Sequence, residues 1–143
     1  MHRHGYKGRK FGRETDQRQA LMRGLMIALI DQHEIESTEA KVKELRRVME
    51  KIITKAKKGD LASRRLVISR VGNINSANKL IDEIAPKITR DSGYLRIERT
   101  RLRVGDGAQM AAISFVDDLT AKSAAREDEA KTGADLAVEK EKK

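Results

Sequence analysis

Apolar residues recur along this chain in two rhythms, and the change from one to the other divides it. Leu21, Leu25 and Leu29 repeat every fourth position, with Met22, Met26 and Ile30 beside them. That spacing lays a wide apolar face along a helix, predicted over residues 15–33. Thr15 suits its N-cap, and Asp16 in the first turn suits the helix dipole. Arg18 and Arg23 fall on the outer side. Residues 34–37, centred on Ile35, read as a short strand. Thr38 then caps a second helix over residues 39–58, where Val42, Leu45, Met49, Ile52 and Ala56 form a buried stripe and Gly59 suits the position after the helix end. Asp60 caps a third helix running to Val71, offering Leu61, Ile68 and Val71 for packing, and Gly72 ends it. Asn73 starts a fourth helix through Ile84, with Ile74, Ala77, Leu80, Ile81 and Ile84 on one side. Pro86 closes the helical region.

Beyond it the period becomes two. From Tyr94 to Val104, Leu95 and Ile97 alternate with Arg96 and Glu98, as in a strand with one buried face. Arg99, Arg101 and Arg103 continue the alternation with charge where apolar residues stood, so the strand loses its buried face, or bulges, near Thr100. Residues 104–108 form a Gly/Asp turn. Residues 110–116 hold Ala111, Ile113 and Phe115 in step, a second strand antiparallel to the first. The fold class is α+β in two layers, of order α-β-α-α-α-β-β, with helices covering a small three-stranded sheet. Three units follow: an extended basic arm over residues 1–14, a globular domain over 15–117, and a polar Ala/Glu/Lys-rich tail over 118–143, disordered or partly helical and without a core role.

Charge changes the picture. The 143 residues hold 31 Lys/Arg against 22 Asp/Glu, and the excess is uneven. Residues 118–143 carry a net charge of −1, so residues 1–117 carry +10. A body of that charge concentrates a polyanion, because each neutralised phosphate releases condensed counterions. The arm, MHRHGYKGRKFGR over residues 1–13, holds five Lys/Arg, two His, three Gly and no acid. Extended, it reaches roughly 40 Å at about 3.3 Å per residue, and it reads as a basic strand threaded between RNA helices. The aromatics are only Tyr6, Phe11, Tyr94 and Phe115, too few for a stacking platform. Phosphate and shape should therefore dominate recognition.

Chemistry has little to stand on. The absence of cysteine excludes disulfides, zinc-thiolate sites and thiol nucleophiles. His2 and His4 lack the further ligands a metal needs, and His33 reads as a helix-end residue whose partly charged ring suits the dipole. Gly105-Asp106-Gly107 precedes a strand rather than opening a helix, so it is a hairpin turn and no dinucleotide fingerprint. No serine sits in a nucleophile-elbow context. We read no enzyme, metal, cofactor or small-molecule substrate. No apolar run approaches a membrane span, and the basic N-terminus is not followed by the apolar segment of a secretory signal.

The residues left to carry function are basic. Arg3, His4, Lys7, Arg9, Lys10 and Arg13 line the arm, and Arg18 and Arg23 the first helix. Lys41, Arg46 and Arg47 represent a cationic helix face opposite a buried stripe, Arg64 and Arg65 a second patch, and Arg96, Arg99, Arg101 and Arg103 the strand region. Arginine forks suit phosphate oxygens bidentately. A free-standing DNA-compacting or regulatory protein is the alternative reading, but no helix-turn-helix with a base-reading surface is evident.

Many small motifs, in order, also carry a resemblance. Gly12-Arg13, Arg18, Ala20-Leu21 and Arg23 are followed by His33-Glu34-Ile35, Thr38, Ala40-Lys41 and Lys43-Glu44-Leu45-Arg46-Arg47. Glu50, Ile53, Lys55-Ala56 and Arg64-Arg65 come next, then Gly93-Tyr94, Arg96-Ile97, Arg103, Gly105-Asp106, Ala108, Met110-Ala111 and Ile113. Over residues 1–116 the chain resembles the bacterial large-subunit ribosomal protein family numbered seventeen. It departs from that pattern where Gln17 stands for a usual histidine, Ser37-Thr38 for a Thr pair, Ser92-Gly93 for a Gly pair and Ser114-Phe115 for Glu-Leu. The resemblance implies the same α/β order. It also implies a cytoplasmic, ribosomal location, with binding to 23S rRNA on the outer side of the large subunit toward the peptide exit, beside neighbouring ribosomal proteins.

Overall fold

The computed structural model describes residues 8–117 and Leu119. The expected contacts Arg3, His4 and Lys7, and the tail apart from Leu119, lie outside these residues.

Helix α1 spans Thr15–Gln32. Thr15 does not cap it: Glu14 holds the extended capping position without a side-chain bond, which makes Thr15 the first helical residue. Strand β1 (Glu34–Thr38) leads into α2 (Glu39–Lys58), which buries Val42, Leu45, Met49, Ile52, Ile53 and Ala56. Burial of such side chains is worth about 1.5–3 kcal/mol each before the entropy of ordering the chain is charged against it, so α2 is the axis of the fold. It packs on all three strands and also on α1 and α3.

Helix α3 (Leu61–Val71) starts where Asp60 accepts a hydrogen bond from Ser63 N at 3.2 Å. Its packing face differs from the expected one. Leu61 is 64% exposed, whereas Val67 and Val71 are completely buried, because the helix turns Ser63, Val67 and Val71 toward α2. Asn73 caps α4 (Ile74–Asn78) by accepting from Asn75 N and Ser76 N, which leaves Ile74 outside at 62% exposure. The chain then widens into a π-helical turn over Lys79–Ile84 and tightens into a 3₁₀ turn over Ala85–Lys87 that contains Pro86. Widening carries Leu80, Ile81, Ile84 and Ala85 into the core together and leaves Asp82 and Glu83 outside.

Strands β2 (Leu95–Leu102) and β3 (Gln109–Phe115) form the hairpin, and β3 is central in the antiparallel order β1-β3-β2. Registers Ile35↔Ile113 and Ile97↔Ile113 put these residues on one face, with Leu95 and Ala111, against the helices. The opposite face presents Glu34, Glu36, Arg96 and Glu98, all exposed, around Ala112 and Ser114. The pairing of β2 with β3 shifts register between Arg99 and Leu102, a bulge where the sequence loses its apolar alternation. Leu119 is buried in the core, so the start of the tail contributes packing that its polar composition did not suggest.

Candidate nucleic-acid interface

Cationic side chains gather in two concave regions on the helix side of the molecule. The first is a trough between α2 and β2. An open groove of about 540 Å³ is lined by Glu39, Lys43, Arg46, Arg47, Glu50, Ile97 and Arg99. It shares Arg47 and Glu50 with a second groove, of about 330 Å³, that runs on past Lys51 and Thr54 to Tyr94. The spacing of α2 creates this wall: Lys43, Arg46, Arg47 and Lys51, three and four apart, face away from Leu45 and Met49, with Glu39 and Glu50 set among them.

Acids pin the cations of the trough in place. Arg46 Nε donates to Glu50 Oε1 at 2.9 Å, Lys43 Nζ lies 2.9 Å from Glu39, and Arg47 lies 3.7 Å from Glu44. Arg99 reaches over from β2 to the same Glu39 oxygen at 2.9 Å. Hydrogen bonds from Lys43 first, and then from Arg99, hold the Glu39 carboxyl below its usual range. Exposed pairs of this kind contribute little to stability, but they hold guanidinium groups in defined places that a stronger anion can take over. At the far end, the Tyr94 hydroxyl donates to Asp91 O at 2.6 Å and lies 3.3 Å from Thr54 Oγ1, which fixes the loop before β2 against α2.

The second region lies at the root of the arm. A groove of about 270 Å³ is lined by Arg9, Phe11, Arg18, Gln19, Met22, Arg23, Met26, Glu44, Val48 and Arg70. Arg13 N donates to Lys10 O at 3.2 Å and Arg13 Nη1 to Phe11 O at 3.1 Å, closing a turn in which Phe11 and Gly12 both have positive φ, 56° and 62°. Arg18 Nη1 donates to Arg13 O at 3.3 Å and ties that turn to α1.

The remaining sequence-derived candidates are dispersed. Arg96 pairs with Glu98 at 3.9 Å and Arg101 with Glu36 at 3.6 Å, on the sheet face away from the helices. Arg103 is committed to the hairpin turn. It donates to Asp106 through Nε at 2.9 Å and Nη2 at 2.5 Å, which holds the Asp106 carboxyl at about 2 and raises the arginine further. Arg64 bonds Asp82 beside the end of α2, while Arg65 is exposed and, among the described residues, without an ion pair. Lys41 is half-buried and lines neither concave region. Arg70 was missing from the sequence-derived set, since only the packing of α3 brings it beside Arg23.

His33 is not the partly charged helix end that the sequence suggested. It ends α1 in the left-handed conformation, φ 65°, with its ring edge-on to Phe115 at 6.3 Å. Burial, and then Lys79 and Lys87, lower its pKa from 6.5, and its Nδ1 has no hydrogen-bond partner among the described residues. Lys79 serves the helix end instead, donating to Asp31 O at 3.0 Å. Among the described residues no group of His, Asp and Glu could hold a metal ion, and no helix is long and apolar enough to cross a membrane.

Residues 21–116 match the family described as Ribosomal protein L17. A Mesorhizobium japonicum protein named large ribosomal subunit protein bL17 is 44% identical, over 85% of this chain and 87% of its own length. Proteins of the same name from Campylobacter jejuni subsp. doylei and Helicobacter hepaticus are 48% and 51% identical, each over 80% of this chain and 97% and 98% of their own.

Proposed function

Because the chain belongs to the ribosomal protein L17 family, we propose that it is a structural constituent of the bacterial large ribosomal subunit that binds and stabilises 23S rRNA electrostatically and performs no catalysis. The observation that carries this reading is the trough, where α2 and β2 converge Lys43, Arg46, Arg47 and Arg99 on one concave wall. A-form RNA offers phosphate ridges rather than readable base edges, and a rigid cationic trough fits a ridge. The exchange is favourable because phosphate replaces weak surface carboxylate pairs while counterions leave the RNA.

Arg46, Arg47 and Arg99 form the centre of the proposed contact, and Arg9, Arg18 and Arg23 continue it at the arm. Arg3, His4, Lys7, Lys10 and Arg13 extend it along the arm, which orders in a crevice between RNA helices as a unit separate from the folded body over residues 15–117. Ordering costs chain entropy, which phosphate neutralisation offsets. Lys41, Arg64, Arg65, Arg96, Arg101 and Arg103 complete the set as peripheral contacts. Arg96, Arg101 and Arg103 must give up Glu98, Glu36 and Asp106 to reach phosphate. The tail over residues 118–143 stays outside the contact, and neighbouring large-subunit proteins are the other partners.

Two measurements test the reading. Gradient fractionation of a native lysate should place the chain in large subunits at one copy each; free or nucleoid-bound protein would defeat it. The purified full chain, titrated with 23S rRNA, should lose roughly 10³–10⁵-fold in affinity between 50 and 200 mM salt if it makes about 6–10 phosphate contacts. A flat response would remove the electrostatic account.

A further inference from the structure

We propose that the tip of the β2–β3 hairpin is an aliphatic knob, made of Leu102 and Val104, that seats in an apolar socket on a neighbouring protein of the large subunit. The inference rests on the ribosomal reading above and assigns one surface within it.

The register slip decides which side chains the hairpin shows. Arg99 pairs with Ala111 and Leu102 with Gln109, three steps along β2 against two along β3. One extra residue reverses the alternation beyond it. Leu102, not Arg101, therefore follows Leu95, Ile97 and Arg99 on the face that Gln109 shares with Ala111 and Ile113. Gln109 Nε2 donates to Arg101 O at 3.4 Å and to Met110 O at 2.9 Å, which holds the slipped stretch in place. Along this face Arg99 is met by Glu39 in the first turn of α2. No helix covers the next residue, Leu102, which is 63% exposed, and Val104 in the turn is 97% exposed.

The turn that carries Val104 is firmly made. Arg103 N donates to Ala108 O at 2.9 Å and Gly107 N to Arg103 O at 3.0 Å. Asp106 accepts two bonds from the Arg103 guanidinium and one from Ala108 N at 3.3 Å. A knob already held in one shape loses little entropy when it docks.

Charge selects the occupant. Residues 102–108 hold one Arg and one Asp, bonded to each other, so the tip has no net charge. A phosphate gains little from a neutral tip, and an apolar wedge between RNA bases would leave Arg103 spent on Asp106 rather than on the flanking backbone. A second copy would bring another body of +10 against this one. A different protein fits, with a socket that is aliphatic, to take Leu102 and Val104 out of water, and uncharged at its edge, to match the tip.

For the test, large subunits stripped of this chain, and naked 23S rRNA, are each offered equal amounts of the wild-type chain and a Leu102→Ser, Val104→Ser double variant. Subunits should prefer the wild type by at least about tenfold, the effect of burying roughly one aliphatic side chain, and naked rRNA should take up both alike. Val104→Ser alone, at an almost wholly solvated site, should shift the preference in the same direction without disturbing the fold. A benzophenone side chain placed at Val104 should crosslink, within assembled subunits, to a protein other than this chain. Equal uptake by subunits, the same preference on naked rRNA, or a crosslink to RNA, to a second copy or to nothing would overturn the knob and leave the electrostatic reading standing. If the wild-type chain binds neither subunits nor rRNA, both fall.

Discussion

Arg99 and Glu39 stand 60 residues apart in the chain, yet Arg99 donates to Glu39 Oε1 through both Nε, at 3.0 Å, and Nη2, at 2.9 Å. The pair joins β2 to the first turn of α2 and aims the arginine along the trough. Arg103, four positions on, is turned back into its own hairpin by Asp106. Two arginines that look equivalent in sequence therefore differ in what they can offer a phosphate.

That difference sets the first prediction. Arg99→Ala should weaken RNA binding across all sequences and reduce the slope of log affinity against log salt by about 1. Arg103→Ala should change the slope little. Binding titrations over a salt series decide it, and equal slopes for the two variants would place Arg103 in the contact on the same footing as Arg99.

His33 gives a pH dependence. Its native pKa lies below 6.5 because burial, then Lys79 and Lys87, disfavour the charged ring. Below pH 6.5 the unfolded chain takes up a proton that the native ring resists, so the stability this group contributes is full above that pH and is lost as pH falls toward the native value. Urea unfolding at pH 7.5, 6.5 and 5.5 should show the decline. His33→Asn, which tolerates the left-handed backbone, should be less stable at pH 7.5 through loss of the ring against Phe115, and should decline less. An unchanged slope in the variant would assign the effect to other groups.

The two glycines that end α2 and α3 separate backbone strain from crowding. Gly59 has φ 70° and open space around a would-be Cβ; Gly72 has φ 77° and Arg23 Cδ at 3.3 Å. Gly59→Ala and Gly72→Ala should each cost about 1 kcal/mol, left-handed strain less the gain from a stiffer unfolded chain. Only Gly72→Ala should also displace Arg23 and weaken RNA binding, since the flexible arginine stem gives way before the backbone does. Denaturant melts and a binding titration report the two effects separately.

Removing residues 1–13 should leave the body folded, because among the described residues the buried core cluster begins at Met26 and includes none of residues 8–13. Circular dichroism should show unchanged helix content and cooperative melting. Incorporation into large subunits should fall. An unfolded deletion variant would make the arm part of the core.

How much of this was legible in the sequence depends on the range of the interaction. The buried stripe of α2 and the caps at Asp60 and Asn73 are set within four residues, and the pattern alone revealed them. The bulge near Thr100 showed as arginines at apolar positions. Thr15 was misplaced by one residue because Glu14 takes the extended position without its side chain accepting a capping hydrogen bond. Leu61 looked like core and is solvated, since the contact of α3 with α2 runs through Val67 and Val71. The site followed the same rule. Its charge was countable, but which cations face a common cavity is a tertiary fact: nothing near Arg70 or Glu39 in the sequence names Arg23 or Arg99 as a neighbour.

The slipped pairing between Arg99 and Leu102 has one more effect. β2 is an outer strand of the sheet, and an outer strand invites another molecule to add itself. Here the pairing with β3 is regular only from Leu95 to Arg99 and slips before it resumes at Leu102, and a slipped, charged stretch is a poor template for an incoming strand. A newly made chain thus carries its own guard against clumping before it meets the assembly it is built for.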